Sequence, residues 1–294
     1  MNVASVPSKS FYAFQPFNFS NGASDLVHLK RWITGLVALP FLIFLVYFGQ
    51  VSFFLLISLA CILSLWEYFR IVFNGERRLI SSAIVWWGYA AGLLILGTAL
   101  VYGLSGVALL VAFNLLVAGF FSIFIFKSNP QVGEIIQRQT LGIVYIPMLL
   151  SFLVLIRRQP DGVTWIFYLL GIIFAGDTIA YYVGSYLGRH KLNPAVSPGK
   201  TIEGAVGGLA ANLLAGAVGI IFFLPNLSWP KGIAFFLACG IVGQVGDLFE
   251  SELKRASSIK DSSGLLPGHG GFLDRIDALL FASPVAYFFI VFIF

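Results

Sequence analysis

The 294-residue sequence is short of charge: Asp, Glu, Lys and Arg make up only 11% of it, while apolar residues make up 59%. Soluble domains carry roughly 25% charged residues, so a soluble globular or disordered chain is excluded. Cysteine is scarce too, with only Cys61 and Cys239, each inside an apolar run. That excludes a disulfide framework and a cysteine zinc site, and both residues read as small buried hydrophobes. Short alternating apolar segments are missing, which argues against a membrane β-barrel. Residues 1–30 lack a compact apolar run followed by a small-residue cleavage site, so no removable signal peptide is expected. The Phe-rich "FYAFQPFNF" within them reads as an interfacial or disordered lead.

What is abundant is hydrocarbon side chain, with 30 phenylalanines alone. A helix needs about 17 to 25 apolar residues to cross a bilayer core, and the runs here are of that length. Nine spans are expected, near 32–48, 51–69, 82–101, 105–126, 139–156, 163–186, 202–224, 231–250 and 273–294. The predicted fold class is therefore all-α, a polytopic integral membrane helical bundle. Pro40 and Pro147 fall inside spans and are expected to kink them. Residues 31–160 read as transmembrane scaffold and 161–294 as the catalytic region with its loops, the whole forming one membrane domain.

The 18 basic residues set an orientation. With a cytoplasmic N-terminus, only Arg157, Arg158 and Lys231 face the far side, a strong positive-inside bias. The polar loops 187–201 and 251–272 then face the cytoplasm. Nine of the thirteen acidic residues lie from Asp161 onward, so the working part is expected in the second half.

Three stretches there carry chemistry. In "FAGDTIAYYVGSYLG", Asp177 lies well inside an apolar span, where an ionised carboxylate is costly without water, a cation or a metal. Tyr181 and Gly184 share its helical face, as a polar cavity wall or a close helix contact would require. In "SPGKTIEG", Lys200 and Thr201 precede a helix N-terminus, which attracts anions. The glycine spacing of a P-loop is missing and no strand is expected before it. Thr201 or Ser197 capping the helix, with Glu203 satisfying its first turn, is the plainer reading for Thr201.

The third stretch is "GDLFESELKRASSIKDSSGLLPGHGGFLDRID", residues 246–277. Asp247, Ser251 and Lys254 share one helix face, and Glu250 and Lys254 are spaced to pair. Lys254, Arg255, Lys260 and Arg275 make a cationic rim, and Gly268, Gly270 and Gly271 would let backbone N–H groups converge on an anion. Asp274 and Asp277, three apart, are expected to face the same way, although Asp274 also suits an N-cap. Carboxylates among cations and glycines suggest magnesium held by Asp247, Asp274 and Asp277 and bridged to phosphates. One loop histidine, His269, with no cysteine nearby makes a poor zinc site.

The run "SELKRASSIKDSSGLLPGHGGFLDRID" resembles the signature of the phosphatidate cytidylyltransferase (CDP-diacylglycerol synthase) family. The resemblance runs through Ser251, Leu253, Lys254, Arg255, Lys260, Asp261, His269, Gly270, Gly271, Phe272, Asp274, Arg275, Ile276 and Asp277. It implies transfer of CMP from CTP to phosphatidic acid in phospholipid biosynthesis, giving CDP-diacylglycerol and pyrophosphate. It further implies Asp247 and Asp274 as metal ligands with Asp277 as a third carboxylate. Lys254, Arg255, Lys260 and Arg275 would bind phosphates, with Ser251 and Asp261 as supporting polar contacts. His269 would protonate, orient or hold the turn, and Asp177 and Tyr181 would line the lipid cleft. Magnesium, a potassium ion in a paired metal site, a homodimer and the bacterial inner membrane are likewise implied by the family. No nucleic-acid partner is expected. A secondary transporter would instead spread polar residues over both halves. A CTP-dependent lipid kinase would need a hydroxyl acceptor.

Overall fold

The computed structural model describes residues 40–76, 82–259, 262–265 and 270–294. The lead at 1–30 and the start of the first expected span lie outside them. Residues 40–47 are helical and end at Gly49, whose φ of 142° lies outside the helical range. Helix α1 then spans Gln50–Val72, so the expected division at "GQ" is where one helix ends and the next begins. Buried residues of α1 recur at Phe53, Ile57, Ala60, Ser64, Glu67 and Ile71, the three-to-four spacing of a core-facing stripe.

Helix α2 spans Ala83–Ile125. At about 1.5 Å per residue it would run roughly twice the hydrocarbon thickness if straight. It is broken at Gly103, where φ is 71° and ψ is −153°, a conformation open to a residue without Cβ. The two expected spans 82–101 and 105–126 are the two sides of that break. Beyond it, Leu109, Leu116, Ile123 and Phe124 are exposed, as a surface solvated by lipid requires.

Helix α3 spans Val132–Arg157, starting seven residues before the expected 139. Pro147 removes a backbone donor, and the helix widens there into a π turn over Val144–Met148. Helix α4 spans Gly162–Leu187, α5 Ile202–Phe222 and α6 Trp229–Ala256. A short apolar helix, α7, covers Asp277–Ile293 after a 3₁₀ turn at Leu273–Arg275. Among the described residues six helices are long and apolar enough to cross a membrane, and the chain is a polytopic helical membrane protein. One contiguous core joins Val46 and Phe53 near its start to Leu280 and Ala286 near its end.

One element departs from the all-helical expectation. Strands β1 (Lys191–Asn193) and β2 (Ser197–Thr201) pair antiparallel between α4 and α5. A strand does therefore precede the helix that follows "SPGKT", contrary to expectation. Pro198 is tolerated because a two-stranded ribbon consists only of edges.

Small residues let α4 and α5 pack closely, the usual means of helix association in lipid. A Cβ on Gly204 would lie 2.8 Å from the Ala180 carbonyl oxygen and 3.1 Å from the Gly184 Cα, both backbone atoms that cannot swing away. Gly204→Ala should therefore separate the helices and destabilise the fold by about 1–3 kcal/mol. A lowered unfolding midpoint in detergent checks this, and an unchanged midpoint would count against the seam.

Candidate active site

Where α4 and α5 meet α6 and the β hairpin, a cavity of about 450 Å³ opens, a volume suited to a small ligand. The structure brings Asp177, Tyr181, Lys200, Thr201 and Asp247 to its wall. Lys200 Nζ lies 2.6 Å from Asp247 Oδ2, a strand-to-helix ion pair that leaves the Asp247 side chain 39% exposed. Tyr181 is 70% exposed, so its ring lies at the rim rather than in the core. Thr201 Oγ1 accepts a hydrogen bond from the Gly204 N–H at 3.1 Å, the expected cap of α5. Glu203 accepts from the backbone N–H groups of Arg189 and His190, and lies 2.6 Å from His190 Nδ1. Its carboxylate also takes its own backbone N–H, so Glu203 serves the first turn of α5 as expected and the chain before β1 as well.

A second group of charges lies deeper. Lys254 Nζ is 2.6 Å from Glu250 Oε2, one turn back on α6, and donates to Asp274 Oδ1 at 2.5 Å. Asp274 Oδ2 accepts from Ser262 Oγ at 2.8 Å and from the Gly271 N–H at 3.0 Å. Burial disfavours the Asp274 anion, but hydrogen bonds with Glu250, Lys254 and Ser262 outweigh it and bring its pKa down to about 2, below the ordinary 3.8. The stabilisation this gives is present above pH 3.8 and is lost as the pH falls through about 2.

Asp277 and Asp274 both face Glu250, but their other partners differ. A 3₁₀ turn lies between them, and in such a turn side chains three apart fall on the same side, as their spacing predicts. Asp274 is not the N-cap of α7, because α7 starts only at Asp277 and Ile276 precedes it. Asp277 is buried, accepts from the Ala278 N–H at 2.7 Å, and experiences the negative charges of Asp247, Glu250 and Asp177. Among the described residues no group of three His, Cys, Asp or Glu is arranged to hold a metal. The expected trio therefore divides: Asp274 belongs with Lys254, while Asp247 and Asp277 lie in a repelling set with Asp177.

Of the expected phosphate cradle, Gly268 lies outside the described residues, and the Gly271 amide is taken by an anion of the protein itself. Gly270 has a φ of 82° and turns the chain. A Cβ on Gly271 would fall 1.7 Å from Ser262 Oγ, so only glycine fits. Its N–H is taken by Asp274, and the next two, of Phe272 and Leu273, are taken by Glu67. Those amides already have anions, and the anions belong to the protein. Ser251 lies half-buried on α6, and Arg255 donates from Nε to the Val196 carbonyl at 3.2 Å, tying α6 to the hairpin. Arg275 is exposed on the 3₁₀ turn. Lys260, Asp261, His269 and Gly268 lie outside the described residues.

Two residues of the first half also belong here. Glu67 is fully buried on α1 and meets the signature segment. Tyr145, in the π turn of α3, is buried with its ring 5.1 Å from that of Phe249, and its hydroxyl has no hydrogen-bond partner among the described residues. The sequence signal for Glu67 was an acid on the core stripe of an apolar helix, where a charge is functional by default. Tyr145 gave no such signal, since tyrosine is ordinary in a core.

The sequence profile of the Cytidylyltransferase family matches residues 29–293. The phosphatidate cytidylyltransferase of Bacillus subtilis is 34% identical over 276 residues, covering 88% of this chain and 96% of its own. The phosphatidate cytidylyltransferase of Staphylococcus haemolyticus is 40% identical over 136 residues, 46% of this chain and 52% of its own. That of Staphylococcus aureus strain COL is 39% identical over 136 residues, again 46% of this chain and 52% of its own.

Proposed function

The chain belongs to the Cytidylyltransferase family, and from that membership we infer that it is a CTP:phosphatidate cytidylyltransferase. An oxygen of the phosphatidic acid phosphate attacks the α phosphorus of CTP. A new P–O bond forms, the bond to the bridging oxygen breaks, and pyrophosphate leaves with the electron pair. CDP-diacylglycerol is the product. The attacking group comes with the lipid, so no protein nucleophile is needed, and catalysis consists of positioning and charge neutralisation.

The observation that carries this reading is the cavity itself, with a lysine and carboxylates inside and Tyr181 at a rim on an apolar helix. Phosphates bind at Lys200 in the cavity, with Arg255 and Arg275 at the polar end. Lys254 holds Asp274 and adds positive charge to the same region. The phosphate-binding roles of Lys260, and the supporting roles of Ser251, Asp261 and His269, rest on the signature alone. The lipid headgroup enters past Tyr181 while its acyl chains stay in hydrocarbon.

Magnesium fits the first charge group. Asp177, Asp247 and Asp277 repel one another with Lys200 as a cation beside them, an excess of negative charge that a divalent ion relieves. Asp247 and Asp277 would hold it, and Asp274 would join them only by giving up Lys254. Such an ion supplies charge neutralisation at phosphate oxygens. The basic residues at the polar end support a cytoplasmic site in the bacterial inner membrane. Arg158 instead donates to the Ala99 carbonyl, and Lys231 to that of Ile293, at the other end of their helices. A homodimer is part of the same proposal, carried by the family likeness.

The test is purified protein in detergent with phosphatidic acid, labelled CTP and magnesium. Labelled CDP-diacylglycerol and pyrophosphate are expected. Release of CDP with phosphorylation of a lipid alcohol would replace this reading by a kinase. Chelating divalent ions with EDTA is expected to abolish turnover and added magnesium to restore it, whereas full activity in EDTA would remove the metal from the proposal.

A further inference from the structure

Glu67 is an acid with no place in the cavity, fully buried on a helix that otherwise reads as scaffold. Its Oε1 accepts from the Phe272 N–H at 2.9 Å and from the Ser263 hydroxyl, and its Oε2 accepts from the Leu273 N–H at 2.7 Å. Ser262 Oγ lies 3.4 Å from Oε2 but 2.8 Å from Asp274 Oδ2. A hydroxyl has one proton, so Ser262 serves Asp274 and Glu67 keeps three strong donors. These come from two points of the signature segment, Ser263 and Phe272–Leu273, held at one carboxylate.

We propose that Glu67 is a positioning residue of the transferase: it anchors residues 271–273 and thereby sets the Asp274 carboxylate against Lys254. The reason lies in the order of the amides. Gly271 donates to Asp274, and Phe272 and Leu273 donate to Glu67, so two carboxylates grip three consecutive N–H groups. Such a row of amides is a natural anion nest. Here Glu67 fixes two-thirds of it and leaves the remaining amide aimed at Asp274. Asp274 in turn orients Lys254, which connects to Glu250. A carboxylate suits this role better than any neutral group, because both of its oxygens accept. Glutamine would place an NH₂ against donors on whichever side it faced.

This inference rests on the cytidylyltransferase reading of the site, and its test separates the two. Parent and Glu67→Gln are compared for kcat and KM with phosphatidic acid, CTP and magnesium, for unfolding midpoint, and for amide exchange at residues 271–273. Turnover is expected to fall about 10- to 100-fold, as when a group that orients a ligating residue is changed. Most of that loss should appear in kcat, with faster exchange at Phe272 and Leu273 and a midpoint near the parent's. Parent-like kcat, or a loss wholly matched by a smaller folded fraction, would overturn the role. If Glu67→Gln does not fold, Ser263→Ala removes one donor and keeps the carboxylate. It should lower kcat by about tenfold, near the lower end of what one hydrogen bond to a charged group contributes, and unchanged kcat with unchanged exchange would again overturn the proposal. A parent that makes no CDP-diacylglycerol would sink the substrate reading alone, because the exchange comparison still reports whether Glu67 holds the segment.

Discussion

Asp247→Asn is expected to lower kcat by at least about a hundredfold while leaving the protein folded, the scale seen when one charge-stabilising group is removed from a reaction centre. Asp247 lies at the cavity wall with its side chain 39% exposed, so its carboxylate faces ligand rather than serving as packing. Its partner, Lys200, is the cation that β2 brings into the same cavity. Asparagine keeps the shape but loses the charge that would bind magnesium and the charge that holds Lys200 in place. A half-exposed position costs little to neutralise, so the unfolding midpoint should barely move. Turnover near the parent's in folded Asp247→Asn would sink the metal assignment, and a large fall in midpoint would mean that the ion pair is structural instead.

Lys254→Met should damage both stability and turnover. Glu250 and Lys254 keep only 1% and 13% of their side-chain surface exposed, and Asp274 keeps 18%. Removing the central cation leaves two buried carboxylates facing each other, a change of about 3–5 kcal/mol when a buried pair loses one partner. A double variant, Lys254→Met with Glu250→Gln, removes one of those stranded charges and should regain part of the loss. The coupling between the two sites, measured from unfolding midpoints in detergent, should be clearly non-additive. Independent, additive effects would show that Glu250 and Lys254 do not share a buried network. Turnover should remain low in the double variant even as stability returns, because Asp274 still lacks the cation that orients it.

The site was legible in the sequence at the level of which residues, and less so at the level of which partners. Asp177, Lys200 and Asp247 stood out because a charge in or beside an apolar helix is costly without a partner or a ligand. Tyr181 and Thr201 stood out through their spacing from those charges, and all five meet at one cavity. The pairing of Glu250 with Lys254 followed from helical spacing. Asp274 and Asp277 both face Glu250, but helical spacing did not show that Lys254 and Ser262 would hold the first and the Ala278 N–H the second. Glycines 270 and 271 suggested an anion cradle, and a cradle exists, but Glu67 and Asp274 fill it. Sequence proximity gave no way to see that an acid some two hundred positions earlier would supply the anion.

Length and hydrophobicity alone determined that this is a helical membrane protein, because covering hydrocarbon thickness with satisfied backbone groups leaves few options. The break at Gly103 and the widening at Pro147 also arise from local chemistry, one from a missing Cβ and one from a missing N–H. Family membership follows from the residues themselves, since the match runs through 29–293. Tertiary structure decided what each charge does. Lys200 goes to Asp247, Lys254 to Asp274 and the amides of Phe272 and Leu273 to Glu67. In a low-dielectric interior a charge must find a partner, and which partner it finds depends on how the helices cross, a three-dimensional property that no local pattern encodes.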